Sequence, residues 1–136
     1  MGRILAIDYG KKRMGLAVTD PMQMIAQPLA TIDAAEIMNY LKAYFSREQV
    51  DMIVLGEPRH LDGKDTDATP LVKEFEEKLK ANFPAHPITK IDERLTSRMA
   101  KQTLIDAGYK KSDRRNKKLV DTVAAALILQ TYLEMK

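Results

Sequence analysis

Three acids in this chain occupy places where an acid is unexpected. Asp8 ends the apolar run Ile4–Ile7 and is followed by Tyr9, Gly10, Lys11, Lys12 and Arg13. Glu93 lies in "IDERLTS", just past the strand-like "PITKID". Asp121 lies in a helical stretch that is apolar on nearly every face from Leu119 to Leu133, and helical spacing puts it on one face with Ala124, Ala125, Ile128 and Tyr132. Each has an ordinary reading. Asp8 could initiate a turn, and Glu93 could pair with Arg94. Asp121 could be a first-turn acid favoured by the helix dipole, worth about 0.3–1 kcal/mol. Gathered within a few ångströms, however, three carboxylates would repel one another and their pKa values would rise. A bound divalent cation removes that conflict. Mg²⁺ or Mn²⁺ suits such oxygen donors, with water and substrate completing the coordination. Two ions about 3.5–4 Å apart would clamp the attacking and leaving oxygens of a phosphoryl transfer.

Such chemistry needs elements that bring the three acids together. Residues 3–8 and 14–19 read as strands, the first apolar on both faces like a buried central strand. The short polar link between them predicts an antiparallel hairpin. Residues 23–32 form a third extended segment, confined to a sheet edge by Pro28. A helix follows over 33–48, with Asp33 and Glu36 as a capping-box-like start. Strands at 52–56 and 87–92 alternate with a charged loop at 57–69 and helices at 70–83, 96–108 and 116–136. The pattern predicts one α/β domain spanning 1–136, a mixed five-stranded sheet flanked by helices. Its later connections should be parallel and right-handed. Sites in parallel sheets gather at the carboxyl ends of strands. Asp8 and Glu93 both follow such ends, and a helix crossing the sheet could carry Asp121 to them.

The remaining signals concern the partner. The 136 residues are 45% hydrophobic and 30% charged, which fits a globular chain with a core. Net charge is +3 and the pI about 9.1. The positive charge is concentrated in "KKRM" and in "KKSDRRNKK", where six cations and one acid occupy nine residues. Lys11, Lys12, Arg13, Arg114, Arg115, Lys117 and Lys118 are therefore candidates to contact phosphate. There is no cysteine, so no disulfide and no thiolate ligand. No apolar run reaches the roughly 20 residues of a membrane span. The N-terminal residues lack the pattern of a signal peptide, so the cytoplasm is the expected location.

The blocks "IDYGKKRMGLAVTD", "LGEP…DG", "DERLTS" and "VDTVAAALILQTYL" resemble the motifs of the Holliday junction resolvase-like family also described as pre-16S ribosomal RNA nucleases. The resemblance covers essentially the whole chain. It implies a ribonuclease H-like fold and a metal-dependent endonuclease acting on structured nucleic acid, with the 5′ end of precursor 16S rRNA as the favoured substrate. By position, Asp8, Glu93 and Asp121 would be the catalytic metal ligands. Arg13, Arg94 and Lys118 would meet phosphate or steady the carboxylates. The resemblance also implies water as the nucleophile, with 5′-phosphate and 3′-hydroxyl products. One departure is Glu57, which stands between Gly56 and Pro58 where the family usually has an apolar residue. It falls where ribonuclease H-like enzymes often carry a metal-binding acid, so it is a rival or supplement to Glu93.

Three other readings compete. The same chemistry could act on branched DNA, since phosphate contacts carry no base information. The basic stretches could belong to a non-catalytic nucleic-acid-binding or transcription-associated module; intact Asp8, Glu93 and Asp121 argue against it. An actin-like ATPase would need two such lobes, and no Walker-type run is present. His60 and His86 read as surface residues without a motif, and Tyr9 as core packing. The oligomeric state is left open.

Overall fold

The structure, a computed structural model, describes residues 2–57, 69–92 and 117–135. The described elements are β1 (Arg3–Asp8), β2 (Arg13–Thr19), β3 (Ala26–Asp33), a 3-10 turn (Ala34–Glu36), α1 (Ile37–Arg47), β4 (Val50–Glu57), α2 (Thr69–Asn82), β5 (Ile88–Asp92) and α3 (Lys117–Met135). The helix expected at 96–108 lies outside the described residues. Five strands form one mixed sheet in the order β3-β2-β1-β4-β5. β1 and β3 run antiparallel to β2, whereas β1, β4 and β5 are parallel. This is the mixed five-stranded sheet that the sequence pattern predicts, in an order consistent with the fold that the family resemblance implies.

Alternation along β1 sends its apolar residues to both sides. Leu5 and Ile7 join the layer of Ile37, Leu41, Val72, Phe75 and Leu79, beneath α1 and α2. Ile4 and Ala6 join Ala17, Val54, Ile91, Ala125, Ile128 and Leu129, beneath α3. A central strand covered on both faces must be apolar throughout, which explains its unbroken hydrophobic run. The α3 layer is built from small residues where it is deepest: Ala6, Ala17 and Ala125 are fully buried. Small side chains on both surfaces let the helix lie close to the sheet. No described helix is long and apolar enough to cross a membrane.

Two expected boundaries move. Asp33 remains in β3, in register with Arg13 of β2, and neither it nor Glu36 makes a side-chain cap hydrogen bond. The ladder has claimed the residue that the sequence pattern assigns to a capping box, and α1 begins at Ile37. β3 begins at Ala26 rather than at residue 23, because Asp20 closes a turn ahead of it. Its Oδ1 accepts from the amides of Met24 and Ile25, and its Oδ2 from that of Met22. These bonds to the carboxylate hold the Asp20 pKa below its ordinary value. Gln23 takes a left-handed φ of 58° in this turn, and its side-chain Nε2 donates to the Gly2 carbonyl at 2.7 Å. Pro28 lies in the edge strand β3, where the pairing slips between Leu16 and Ala17, as its missing N–H requires.

Candidate active site

Asp8 is the last residue of β1, at the carboxyl end of the central strand, and is half-buried. Its Cα is in register with Gly15 of β2 and with Gly56 of β4. Gly15 is in turn in register with Thr31 of β3, and Gly56 with Ile91 of β5. One cross-strand row therefore reads Thr31, Gly15, Asp8, Gly56, Ile91. Alternation places the row on the α3 face, since Ile4, Ala6 and Ile91 all belong to that layer. Asp8 is thus flanked on its own face by two residues that bring no side chain.

The N-terminal part of α3 is fixed over this row. Thr122 Oγ1 lies 2.6 Å from Thr31 Oγ1, a part-buried contact between residues 91 apart in sequence. Position 121 adjoins Thr122. By helical periodicity it shares the face of Ala125 and Ile128, which pack on the sheet. Asp121 is the fifth residue of α3, past the first turn, so the helix dipole is a weak reason for an acid there. The Asp121 side chain lies outside the described residues, as does Glu93, which directly follows β5. Glu57 ends β4 in register with Asp92 of β5, and the side chains of that pair are also outside them. The parallel strands β1, β4 and β5 thus bring positions 8, 57 and 92 to one edge. Among the described residues no cluster of three potential metal ligands is complete.

The cations divide similarly. Lys11 and Lys12 are exposed in the β1–β2 link. That link is tightly built: a Cβ on Gly10 would collide with the Arg13 carbonyl oxygen, and the Lys12 carbonyl accepts from the Ala34 amide at 2.8 Å. Arg13, half-buried, opens β2 on the α3 face two residues beyond Gly15. Lys117 and Lys118 occupy the first turn of α3; their side chains, and the whole of Arg94, Arg114 and Arg115, lie outside the described residues.

On the opposite face, the described residues beside Asp8 are aromatic and apolar. Tyr9, next after Asp8, packs on Phe75 with ring centroids 5.4 Å apart, as expected of a core residue. Burial, and then the nearby Glu74 carboxylate, raise its pKa above the ordinary value. It borders a cavity of about 420 Å³ with Met14, Ile37, Met38, Leu71 and Phe75. His60 is outside the described residues. His86 departs from the surface reading: it stacks on Phe45 at 4.5 Å, and its Nδ1 is buried with no hydrogen-bond partner. The signal that sequence reasoning missed is the Thr31–Thr122 contact, for which neither threonine has a local motif.

Comparison with known proteins follows this geometry. The model of a family described as "RuvX: Holliday junction resolvase" matches residues 2–135. Relatives named "Putative pre-16S rRNA nuclease" include one from Flavobacterium psychrophilum, 48% identical over 136 residues, which are all of this chain and 99% of the relative. One from Porphyromonas gingivalis is 49% identical over 134 residues, 98% of this chain and 97% of the relative. Among solved structures, Thermus thermophilus RuvC in complex with a Holliday junction substrate is similar with a TM-score of 0.61 and 16% identity, covering 99% of this chain and 96% of that one. A second structure of the same RuvC gives 0.55 and 18%, covering 98% and 96%. At these identities the two structures speak for the fold.

Proposed function

Because the chain belongs to the RuvX family, we propose that its single domain is a divalent-metal-dependent endonuclease that hydrolyses phosphodiester bonds in structured nucleic acid, with precursor 16S rRNA as its substrate. One observation carries the reading. The row Thr31, Gly15, Asp8, Gly56, together with the Thr31–Thr122 contact, brings position 121 to the same strand end and the same face as Asp8. The names of the curated relatives favour RNA.

The donor set fits Mg²⁺ or Mn²⁺. Asp8, Glu93 and Asp121 supply carboxylate oxygens, the hard donors these ions take. The glycines on either side of Asp8 supply the room. When bound, such ions contribute Lewis-acid stabilisation of charge on the phosphate and a lowered pKa for water. The chain's own residues do the rest. The acids would hold the ions at the strand ends. Arg13, Arg94 and Lys118 meet the non-bridging oxygens, while Lys11, Lys12, Arg114, Arg115 and Lys117 draw in the flanking backbone. Water attacks phosphorus, the bond to the 3′ oxygen breaks, and the products carry a 5′-phosphate and a 3′-hydroxyl. No protein nucleophile is required.

The test is a 5′-extended 16S rRNA fragment beside a four-way DNA junction. Each is incubated with Mg²⁺, Mn²⁺ or a chelator, using wild type and Asp8→Asn. Metal-dependent cutting of the RNA that vanishes in the variant is the expected result. Cutting of the junction alone would favour the second reading, a DNA resolvase, which the family's description supports. Binding without cutting in any metal would make the chain a nucleic-acid-binding module.

A further inference from the structure

The α3 layer raises a question of precision. Among the described residues, the buried part of the helix that meets the sheet is apolar: Ala125, Ile128 and Leu129 rest on Ile4, Ala6, Ala17, Val54 and Ile91. Apolar contact is non-directional. Alanine against alanine holds a helix close but offers little to stop it sliding or rolling. A metal site, in contrast, needs its ligands held to within about 0.5 Å. The Thr31–Thr122 hydrogen bond is directional, short and part-buried. It lies at the end of α3 where position 121 is, and at the row of the sheet where Asp8 is.

We infer that Thr31 and Thr122 form a latch that sets the placement of Asp121 relative to Asp8, making both threonines positioning residues of the metal site. The inference rests on the metal-site reading above. Adjacent strands are about 4.8 Å apart, so Thr31 is roughly 10 Å from Asp8 across the sheet, with Gly15 between them. β3, an edge strand with no proposed ligand of its own, thereby gains a role in the site.

The test uses Thr31→Val and Thr122→Val, which keep the side-chain shape and remove the hydroxyl, the double valine variant, and the serine variants. The primary readout is Mn²⁺ affinity without nucleic acid, alongside the melting midpoint in chelator. Loss of an orienting partner one shell out typically weakens metal binding by roughly ten- to a hundredfold. Each valine variant should bind Mn²⁺ about tenfold more weakly, each serine variant close to wild type. The double variant should be no weaker than either single one, because both break the same bond. It removes both hydroxyls of this contact together, and its midpoint in chelator reports any folding defect separately from metal affinity. Wild-type affinity in the valine variants, with only the midpoint lowered, would overturn the latch and leave the metal site standing. Additive losses in the double variant would overturn the idea of a shared bond. Absence of Mn²⁺ binding by wild type would overturn the metal reading, and the latch with it.

Discussion

Replacing Asp8 by asparagine separates a metal ligand from a turn-forming acid by the sign of its effect on stability. Three parallel strands deliver acids to one edge, at position 8 on the α3 face and at positions 57 and 92 on the alternate face, and Glu93 follows in sequence. With strands about 4.8 Å apart and a rise of about 3.3 Å per residue, Cα atoms on neighbouring strand ends lie roughly 6 Å apart. Like charges about 8 Å apart repel by about 2 kcal/mol at an effective dielectric constant near 20, and by about 0.5 kcal/mol in bulk water. Half-buried Asp8 falls between these limits. Asp8→Asn should therefore raise the stability of the metal-free protein by about 1 kcal/mol or leave it unchanged. An unfolding entropy near 2.1 cal/mol/K per residue gives about 0.29 kcal/mol/K for this chain, so the midpoint should rise by up to about 3–4 °C. Metal should reverse the ranking. At a hundred times its dissociation constant a ligand stabilises by about 2.7 kcal/mol, or about 9 °C here, and the variant should lose that gain. The assay is a pair of melting curves, one in chelator and one in Mn²⁺, beside cleavage of the RNA fragment. A variant melting several degrees below wild type in chelator would refute the reasoning and return Asp8 to the role of a turn residue. So would a variant that keeps the metal-induced shift.

Lys117 and Lys118 place two cations in the first turn of α3, where the helix dipole disfavours them. Lys117→Glu should stabilise the fold by about 0.3–1 kcal/mol in a urea titration while weakening RNA binding and flattening its salt dependence; unchanged binding would remove Lys117 from the interface. His86→Phe should raise the melting midpoint by about 3 °C, because the ring can keep its stack on Phe45 while a buried nitrogen costing about 1 kcal/mol is removed; a lower midpoint would show that Nδ1 has a partner. The folded-state pKa of Asp20 lies below its ordinary 3.8. Its contribution to stability should thus be complete above about pH 3.8 and lost as pH falls through the folded value. Asp20→Asn should accordingly melt below wild type at pH 7, with the gap closing in strong acid; a gap independent of pH would exclude the carboxylate charge as its source.

The sheet was legible in the sequence because its strands carry one-dimensional signals. The apolar run Ile4–Ile7 could only be a strand covered on both faces, and Pro28 could only be an edge residue. α3 was legible for a related reason: a helix that lies low on a sheet is apolar around much of its girth. What the sequence hid depends on competition or on distance. Asp33 and Glu36 have the spacing of a capping box, yet pairing opposite Arg13 keeps Asp33 in the ladder. Met22 to Ile25 resemble the start of a strand, and only the three amides accepted by Asp20 turn them into a tight loop. The alignment of Asp8 with two glycines required knowing which strands are neighbours. The pairing of Thr31 with Thr122 joins parts of the chain that no local pattern connects.

The layer beneath α3 also fixes an order in time. Its sheet surface comes from all five strands, all synthesised before the helix that covers them. Until residues 117–135 emerge, Ile4, Ala6, Ala17, Val54 and Ile91 face water as an apolar surface on an otherwise formed sheet. A nascent chain at that stage is a natural client for a chaperone. It also lacks Asp121, so the proposed metal site would stay incomplete until almost nine-tenths of these 136 residues had been made.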